Sequence, residues 1–237
     1  MLLMYKDGGL IPRGPSGGNY TYVMTGASST PFIVSAYMKG IRGFDVEQAY
    51  EGLVKNHSEK GIMAKAGYEH KTLTGGGMSH YLSKGYIPHP LGDKSGGYHR
   101  DGSGQTLENA YQDWTLAQLA QKLGHKEDFD YFMKRSKNYH NVYDKSLGWM
   151  RPKNIDGEWY ENFDPYEIKV GFIESNSTQS TWFVPHDLKG LATLMGGNEK
   201  AIEKLNNQFV TAEKLNFTSG NSHSQELHPE YRSIPIN

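Results

Sequence analysis

The sequence predicts a mainly α-helical fold whose helices come in pairs, an arrangement that suits an (α/α) toroid. Three observations lead there. Apolar residues recur at helical spacing in several stretches, most clearly at Leu107, Ala110, Tyr111, Trp114, Ala117, Leu119, Ala120 and Leu123. Cap and stop residues bound those stretches: Asp45 with Gln48 three residues on, Thr106, Gly124, and Gly196-Gly197 followed by Asn198. The gaps are short within a pair and long between pairs, as in αα-hairpins joined by excursions. An open solenoid also stacks helix pairs, but no fixed repeat period is visible.

In chain order, residues 5–31 are rich in Gly, Pro, Ser and Tyr and read as loop. Pro31 suits the first turn of a helix capped by Thr30, and Phe32, Ile33, Val34, Ala36, Tyr37 and Met38 make that helix apolar on most sides. Its hairpin partner starts at Asp45 and carries Val46, Ala49, Tyr50, Leu53 and Val54. Residues 58–104 hold little helical signal apart from Met78 to Leu82, and loops of that length usually carry function or are disordered. The Thr106 helix ends at Gly124, and a partner from Glu127 carries Phe129, Phe132, Met133, Ser136, Tyr139, Val142 and Tyr143 on one face. Residues 147–173 form an aromatic excursion. Helix is expected again from Ser177 to Leu194, then from Asn198 with Ala201, Ile202, Leu205 and Phe209 as its stripe, with loop from Asn216 onward.

Composition narrows the function. At 237 residues the chain can bury a real core as one domain. Its net charge of -1, with the signs interspersed, gives no basic stripe for nucleic acid and no acidic tail. No apolar run reaches membrane-spanning length, and Met1-Leu2-Leu3-Met4 is too short for a signal peptide. The absence of Cys rules out a disulfide framework and thiolate metal sites. The 16 Tyr and 4 Trp suit either carbohydrate surfaces or Tyr-rich helical cores.

Chemistry concentrates between Gly171 and Asp187. Glu174 stands between an apolar lead-in and the polar run Ser175 to Thr181, followed by Trp182-Phe183-Val184-Pro185-His186-Asp187. Hydroxyls and amides beside an aromatic face and one carboxyl are what a sugar pocket needs. A carboxyl held against apolar side chains can also keep a proton to donate. The plainer reading is that Asn176 to Thr178 cap a helix whose apolar side is Trp182, Phe183 and Leu188.

This stretch resembles the Glu-Gly-Asn-Ala-Trp-Gln…Trp-Phe-Val-Pro-His-Asp signature of glycoside hydrolase family 92, the calcium-dependent exo-acting α-mannosidases. Further matches follow in family order: Tyr5 to Gly9, Ala36 to Ile41, Phe44 to Glu51, Gly85 to Pro88, Thr106 to Trp114 and Gly148 to Pro152. Each is weak alone; their order carries the resemblance. It implies a single domain over 1–237 that is a truncated (α/α)6 catalytic domain, without the family's N-terminal β-sandwich domain and C-terminal helices. It implies an inverting hydrolase that removes terminal α-linked mannose from glycans, in a periplasmic, secreted or cell-surface setting.

By the resemblance Glu174 is the general acid and Gln179 a substrate contact, although a helix-surface Gln reads equally well. Trp182 falls on an apolar stripe and fits core or sugar platform. His186 and Asp187 complete the signature, but neighbours on a helix do not face one another, so His186 also reads as a residue that orders local structure. Arg151 presents its fork to a sugar or carboxylate, or pins the 147–173 excursion. Glu108 also matches a family motif. Inversion needs a second carboxyl roughly 6.5–9.5 Å from the first. The family's base motif and its calcium-associated Gly-Asn-Glu-Pro stretch are absent before Asn237, so no base or calcium ligand is assigned here. Asp113, Asp164 and Asp187 are poor substitutes. The resemblance therefore implies that the chain alone is inactive and that its unpaired helix faces favour self-association.

The chain departs from the family at Ala27 and Ser28, at Thr74, and at Ser175 and Thr178 within the signature. Those departures leave two rivals: a non-catalytic carbohydrate-binding or scaffold module derived from the same toroid, and a lyase on a similar toroid.

Overall fold

A computed structural model describes residues 1–14, 20, 22, 25–65, 76–91, 101–168 and 170–214. The fold is mainly helical. Helices α1 (Leu2–Gly8), α2 (Ser29–Met38) and α3 (Val46–Asn56) precede a 3-10 turn at Ile62–Lys65 and α4 (Met78–Lys84). The longest helix, α5 (Gly102–Leu123), is followed closely by α6 (Lys126–Arg135) and a 3-10 turn at Asn138–Val142. A short antiparallel pair, β1 (Tyr143–Asp144) with β2 (Trp149–Met150), is in register Tyr143 to Met150 and Asp144 to Trp149. Helices α7 (Ser177–Ser180), α8 (Leu188–Leu194) and α9 (Asn198–Lys214) complete it. The pairs α2/α3, α5/α6 and α8/α9 pack together, which gives the segment its toroid-derived character.

Helix α5 is central and is buried on almost every side. Leu116, Ala117, Leu119 and Ala120 join Ile33, Val34, Ala49, Leu53 and Phe132 in one cluster. Leu107 and Ala110 join Tyr139, Val142, Met150, Phe172, Val184 and Leu191 in a second. A third, around Ile62, Met63, Met78, Tyr81 and Ile87, closes over its start.

A buried polar knot ties the pairs together. The Asp113 carboxylate accepts from Tyr81 OH at 2.8 Å and Arg135 Nε at 2.9 Å, with Arg135 Nη2 2.8 Å from its other oxygen. His57 Nδ1 lies 2.8 Å from that same oxygen and donates to it, so His57 Nε2 is left to accept from Thr30 Oγ1 at 3.0 Å. Burial pushes the His57 imidazole below its ordinary range, against the pull of Asp113. The knot therefore holds a neutral His beside an Asp–Arg pair. It joins α2, the end of α3, α4, α5 and α6.

Several expectations are corrected. Residues 2–8 are helical rather than loop from residue 5, because Met1, Leu2 and Tyr5 pack on the first cluster. Helix α2 starts at Ser29, since Thr30 spends its hydroxyl on His57 instead of capping. It buries one side only, leaving Phe32 65% exposed. Helix α5 starts a turn before Thr106, whose hydroxyl bonds the Gly102 carbonyl and accepts from Ile87 N–H. Helix α6 stops at Arg135, where the chain tightens into 3-10 turns with His140 N–H on the Lys137 carbonyl at 3.0 Å, and the Ser136 carbonyl accepts from His186 Nε2 at 2.9 Å. The helix expected over 177–194 breaks into α7 and α8, since Pro185 lacks the N–H a continuous helix requires. Asp45 does cap α3, accepting from Gln48 N–H at 3.0 Å. The expected loop beyond Asn216 and the departure at Thr74 lie outside the described residues.

Replacing Asp113 with Asn should leave the Arg135 guanidinium buried without its counter-charge and cost about 3–5 kcal/mol, read as a lower midpoint in urea unfolding. Stability should also fall on acidification. His57, His140 and His186 all sit below the ordinary imidazole range, chiefly through burial. The unfolded chain therefore takes up protons first as the pH drops below about 6.5. A stability profile that stays flat from pH 7 to 5 would contradict this.

Candidate active site

The frame of the site is the strap from Gly171 to Asn176. Gly171 has φ 81°, and a side chain there would run into Pro152, so only Gly lets the strap pass this close. Its carbonyl accepts from Gly104 N–H of α5 at 2.8 Å, and the Phe172 ring is fully buried in the second cluster. The far end is held by the Asn176 capping box. Asn176 Oδ1 accepts from Gln179 N–H at 3.0 Å, and Gln179 Oε1 accepts from Asn176 N–H at 3.3 Å. Between these anchors Glu174 adopts φ 49°, the left-handed region that a residue with a Cβ enters at a cost of about 1–3 kcal/mol. The turn throws its side chain into solvent. The expected packing of this carboxyl against apolar side chains is therefore not found: Phe172 takes the inward position and Glu174 the outward one.

The polar run is largely spent inside the protein. Thr178 Oγ1 donates to Asn176 Oδ1 at 2.8 Å, Ser177 Oγ donates to the Met150 carbonyl, and Thr181 Oγ1 accepts from Met150 N–H at 3.0 Å. These groups dock α7 on β2, and Asn176, Ser177 and Thr178 are buried. Gln179 is half-buried, with its carbonyl in the capping box.

The other sequence candidates are brought near this element but hold structure. Trp182 Nε1 donates to Gln208 Oε1 of α9 at 2.5 Å, and its ring meets Trp149 edge to face at 6.4 Å between centroids. His186 sits among Tyr111, Trp114 and Tyr139 with Nε2 donating to Ser136, and burial holds it neutral. Asp187 caps α8 by accepting from Gly190 N–H at 3.1 Å, and also receives Lys137 Nζ and Tyr139 OH, each at 2.6 Å. Burial alone would raise the Asp187 carboxyl, but these donors hold it below the usual range. His186 and Asp187 thus face different partners. Arg151 forks onto the Tyr160 carbonyl through Nε at 3.1 Å and Nη2 at 2.8 Å, and its Nη1 bonds Asp144 Oδ2 at 2.9 Å. It pins the excursion. Glu108 is half-buried on α5; burial raises its carboxyl above the usual range, with Gln112 and Arg13 drawing it part of the way back.

Asp113 is saturated inside the knot, and Asp164 Oδ1 accepts from Tyr166 N–H at 2.9 Å within a turn. Among the described residues no three His, Cys, Asp or Glu side chains gather to hold a metal ion, so the donor set for calcium is not found there. No helix among them is long and apolar enough to cross a membrane. Sequence reasoning missed the strap's dependence on Gly104 and Pro152 and the Lys137 and Tyr139 partners of Asp187. These are long-range contacts with no local signature.

Residues 1–232 match the sequence model of the glycosyl hydrolase family 92 catalytic domain. A curated relative, an uncharacterized secreted glycosidase of Arthroderma benhamiae, is 27% identical over 231 residues, covering 86% of this chain and 29% of its own. Among solved structures, the family GH92 inverting mannosidase from Bacteroides thetaiotaomicron superposes with a TM-score of 0.73 at 30% identity, covering 86% of this chain and 26% of its own. A family GH92 α-mannosidase from the same organism gives 0.65 at 29% identity, covering 80% and 23%. The chain thus spans roughly a quarter of the length of the relatives it matches.

Arg151→Lys should keep a charge near Asp144 but lose the planar fork on the Tyr160 carbonyl. Amides across 151–160 should then exchange faster with deuterium, while those of α5 stay protected; unchanged exchange in both segments would show that the fork does not hold the excursion.

Proposed function

Because the chain belongs to glycosyl hydrolase family 92, we propose that the protein is a glycoside hydrolase acting on α-linked mannose at the ends of glycans, with Glu174 as its general acid. The observation that carries the reading is the strap. It is fixed at Gly171 and Phe172 on one side and at Asn176 on the other, and it holds one exposed carboxyl in a costly backbone conformation between them. Local strain maintained by firm anchors is common at reactive positions. A sugar docked over Glu174 would exclude water from the carboxyl and favour its protonated form, ready to donate to the leaving oxygen.

The inverting course, by analogy with the Bacteroides mannosidase, would divide the work between this acid and a carboxylate that activates water on the opposite face of the ring. No base is assigned among the described residues: Asp113 is saturated, and Asp187 is held by Lys137 and Tyr139. The Gln179 side chain, on α7 five residues beyond the acid, is proposed as a sugar contact. Trp182, His186, Asp187 and Arg151 would shape the site's wall rather than touch the reacting bond. A secreted setting is proposed from the name of the fungal relative.

Glu174→Gln should bind methyl α-mannoside as the parent does. Measured in the full-length protein, turnover of an unactivated mannoside should fall about 10²–10⁴-fold. An aryl mannoside with a good leaving group needs less protonation and should lose much less; equal losses on both substrates would remove the acid role. Self-association is proposed from α9, whose Ile202, Phe209 and Val210 are exposed at helical spacing. Light scattering should give a mass above the monomer, reduced by Phe209→Glu.

A further inference from the structure

Helix α5 carries a second polar feature that none of the roles above uses. Gln105, Glu108, Asn109 and Gln112 stand at i, i+3, i+4 and i+7 and so share one face of the helix. In most helices that pattern is an apolar stripe. Here Gln105 Nε2 donates to the Gly76 carbonyl at 2.8 Å, and Gln112 Oε1 accepts from Ala27 N–H at 2.7 Å. Gly26, at φ 69°, crosses the same face so closely that a Cβ would lie 2.5 Å from Gln112 Nε2 and 2.6 Å from Glu108 Cγ. Two buried groups exceed what the protein uses. Asn109 is fully buried with neither amide atom hydrogen-bonded, and Gln105 Oε1 has no partner. Glu108 has one oxygen on Gln112 Nε2 at 2.9 Å, and among the described residues its other oxygen makes no hydrogen bond.

Glu108 also belongs to a neighbouring line. Gly104, Glu108 and Tyr111 stand at i, i+4 and i+7, and both flanks of the Glu174 element meet that line. Gly104 receives the strap at Gly171 and Phe172, and Tyr111 meets Phe183 at 5.7 Å between ring centroids. Glu108 therefore sits one helical turn, about 6 Å, from where the strap docks, at the edge shared by the polar face and the strap.

We propose that this face of α5 is a second wall of the glycan site, in which the unused oxygen of Glu108 takes a hydroxyl of the bound mannose. The inference rests on the mannoside reading above and adds a specificity-determining residue to it. A carboxylate oxygen is a strong acceptor for a sugar hydroxyl. Gln112 orients the carboxyl through its partner oxygen, and the bare Gly26 crossing prevents the side chain from swinging aside.

The test pairs variants with sugars. Methyl α-mannoside and its four monodeoxy analogues are titrated by calorimetry into the parent protein, Glu108→Ala and Glu108→Gln, the last retaining volume should Ala disturb packing. Loss of a hydrogen bond to a charged group should weaken methyl α-mannoside by about 10–100-fold in Glu108→Ala. That penalty should vanish for the one analogue that lacks the gripped hydroxyl and persist for the others. A structural role would weaken all five sugars alike, and that result, or no weakening in either variant, overturns the proposal while leaving the mannoside reading intact. Failure of the parent protein to bind any mannoside overturns both.

Discussion

The Asp113 carboxylate is the constraint on which the architecture depends. A buried carboxylate survives only when its charge is balanced and its oxygens are filled. Here Arg135 supplies the charge, Tyr81 and His57 fill the remaining directions, and Thr30 fixes the His57 tautomer. Because each partner comes from a different helical element, satisfying one carboxylate sets the positions of α2, α4 and α6 and the end of α3 relative to α5. Apolar burial supplies most of the driving force in the same region, through Leu116, Leu119, Leu53 and Phe132, but it is not directional. The knot supplies the direction.

With α5 fixed, the site follows. The strap leans on Gly104, buries Phe172 against Leu107 and Ala110, and passes Pro152 at a point that only Gly171 can occupy. The excursion that brings Pro152 there is itself held by Arg151 on Tyr160 and Asp144. Beyond the strap, His186 binds the Ser136 carbonyl at the end of α6, and Asp187 caps α8 while accepting from Lys137 and Tyr139. The signature segment thus acts as a clasp between the second helix pair and the third. Much of its polarity belongs to that clasp, and Glu174 is the residue the clasp leaves over.

This division explains why local strain and local polarity point to different residues. Asn176, Ser177, Thr178 and Thr181 look like a sugar-binding run, yet their atoms are consumed by a capping box and by the backbone of β2. The unused capacity lies elsewhere, on the exposed Glu174 and on the α5 face of Glu108 and Asn109. Unsatisfied or strained groups are costly to keep, which is why the proposals rest on Glu174 and Glu108 rather than on the polar run.

What the sequence determined by itself was local and periodic. The helical class, the Asp45 cap, the stripe of α3, the long α5 ending at Gly124 and the pairing of α5 with α6 all follow from spacing and capping chemistry within one or two turns. The ordered signature segments carried the family. The tertiary structure alone decided where helices yield to distant partners: Thr30 gives its hydroxyl to His57, Ser136 gives its carbonyl to His186, and α1 forms because Met1, Leu2 and Tyr5 find the first cluster. It also decided that Arg151 and Asp187 hold structure and that Glu174 points outward. Those outcomes depend on hydrogen bonds and burial between residues of different elements, from seven positions apart for Arg151 and Asp144 to fifty for Asp187 and Lys137. Which donor meets which acceptor is fixed only once the helices have packed.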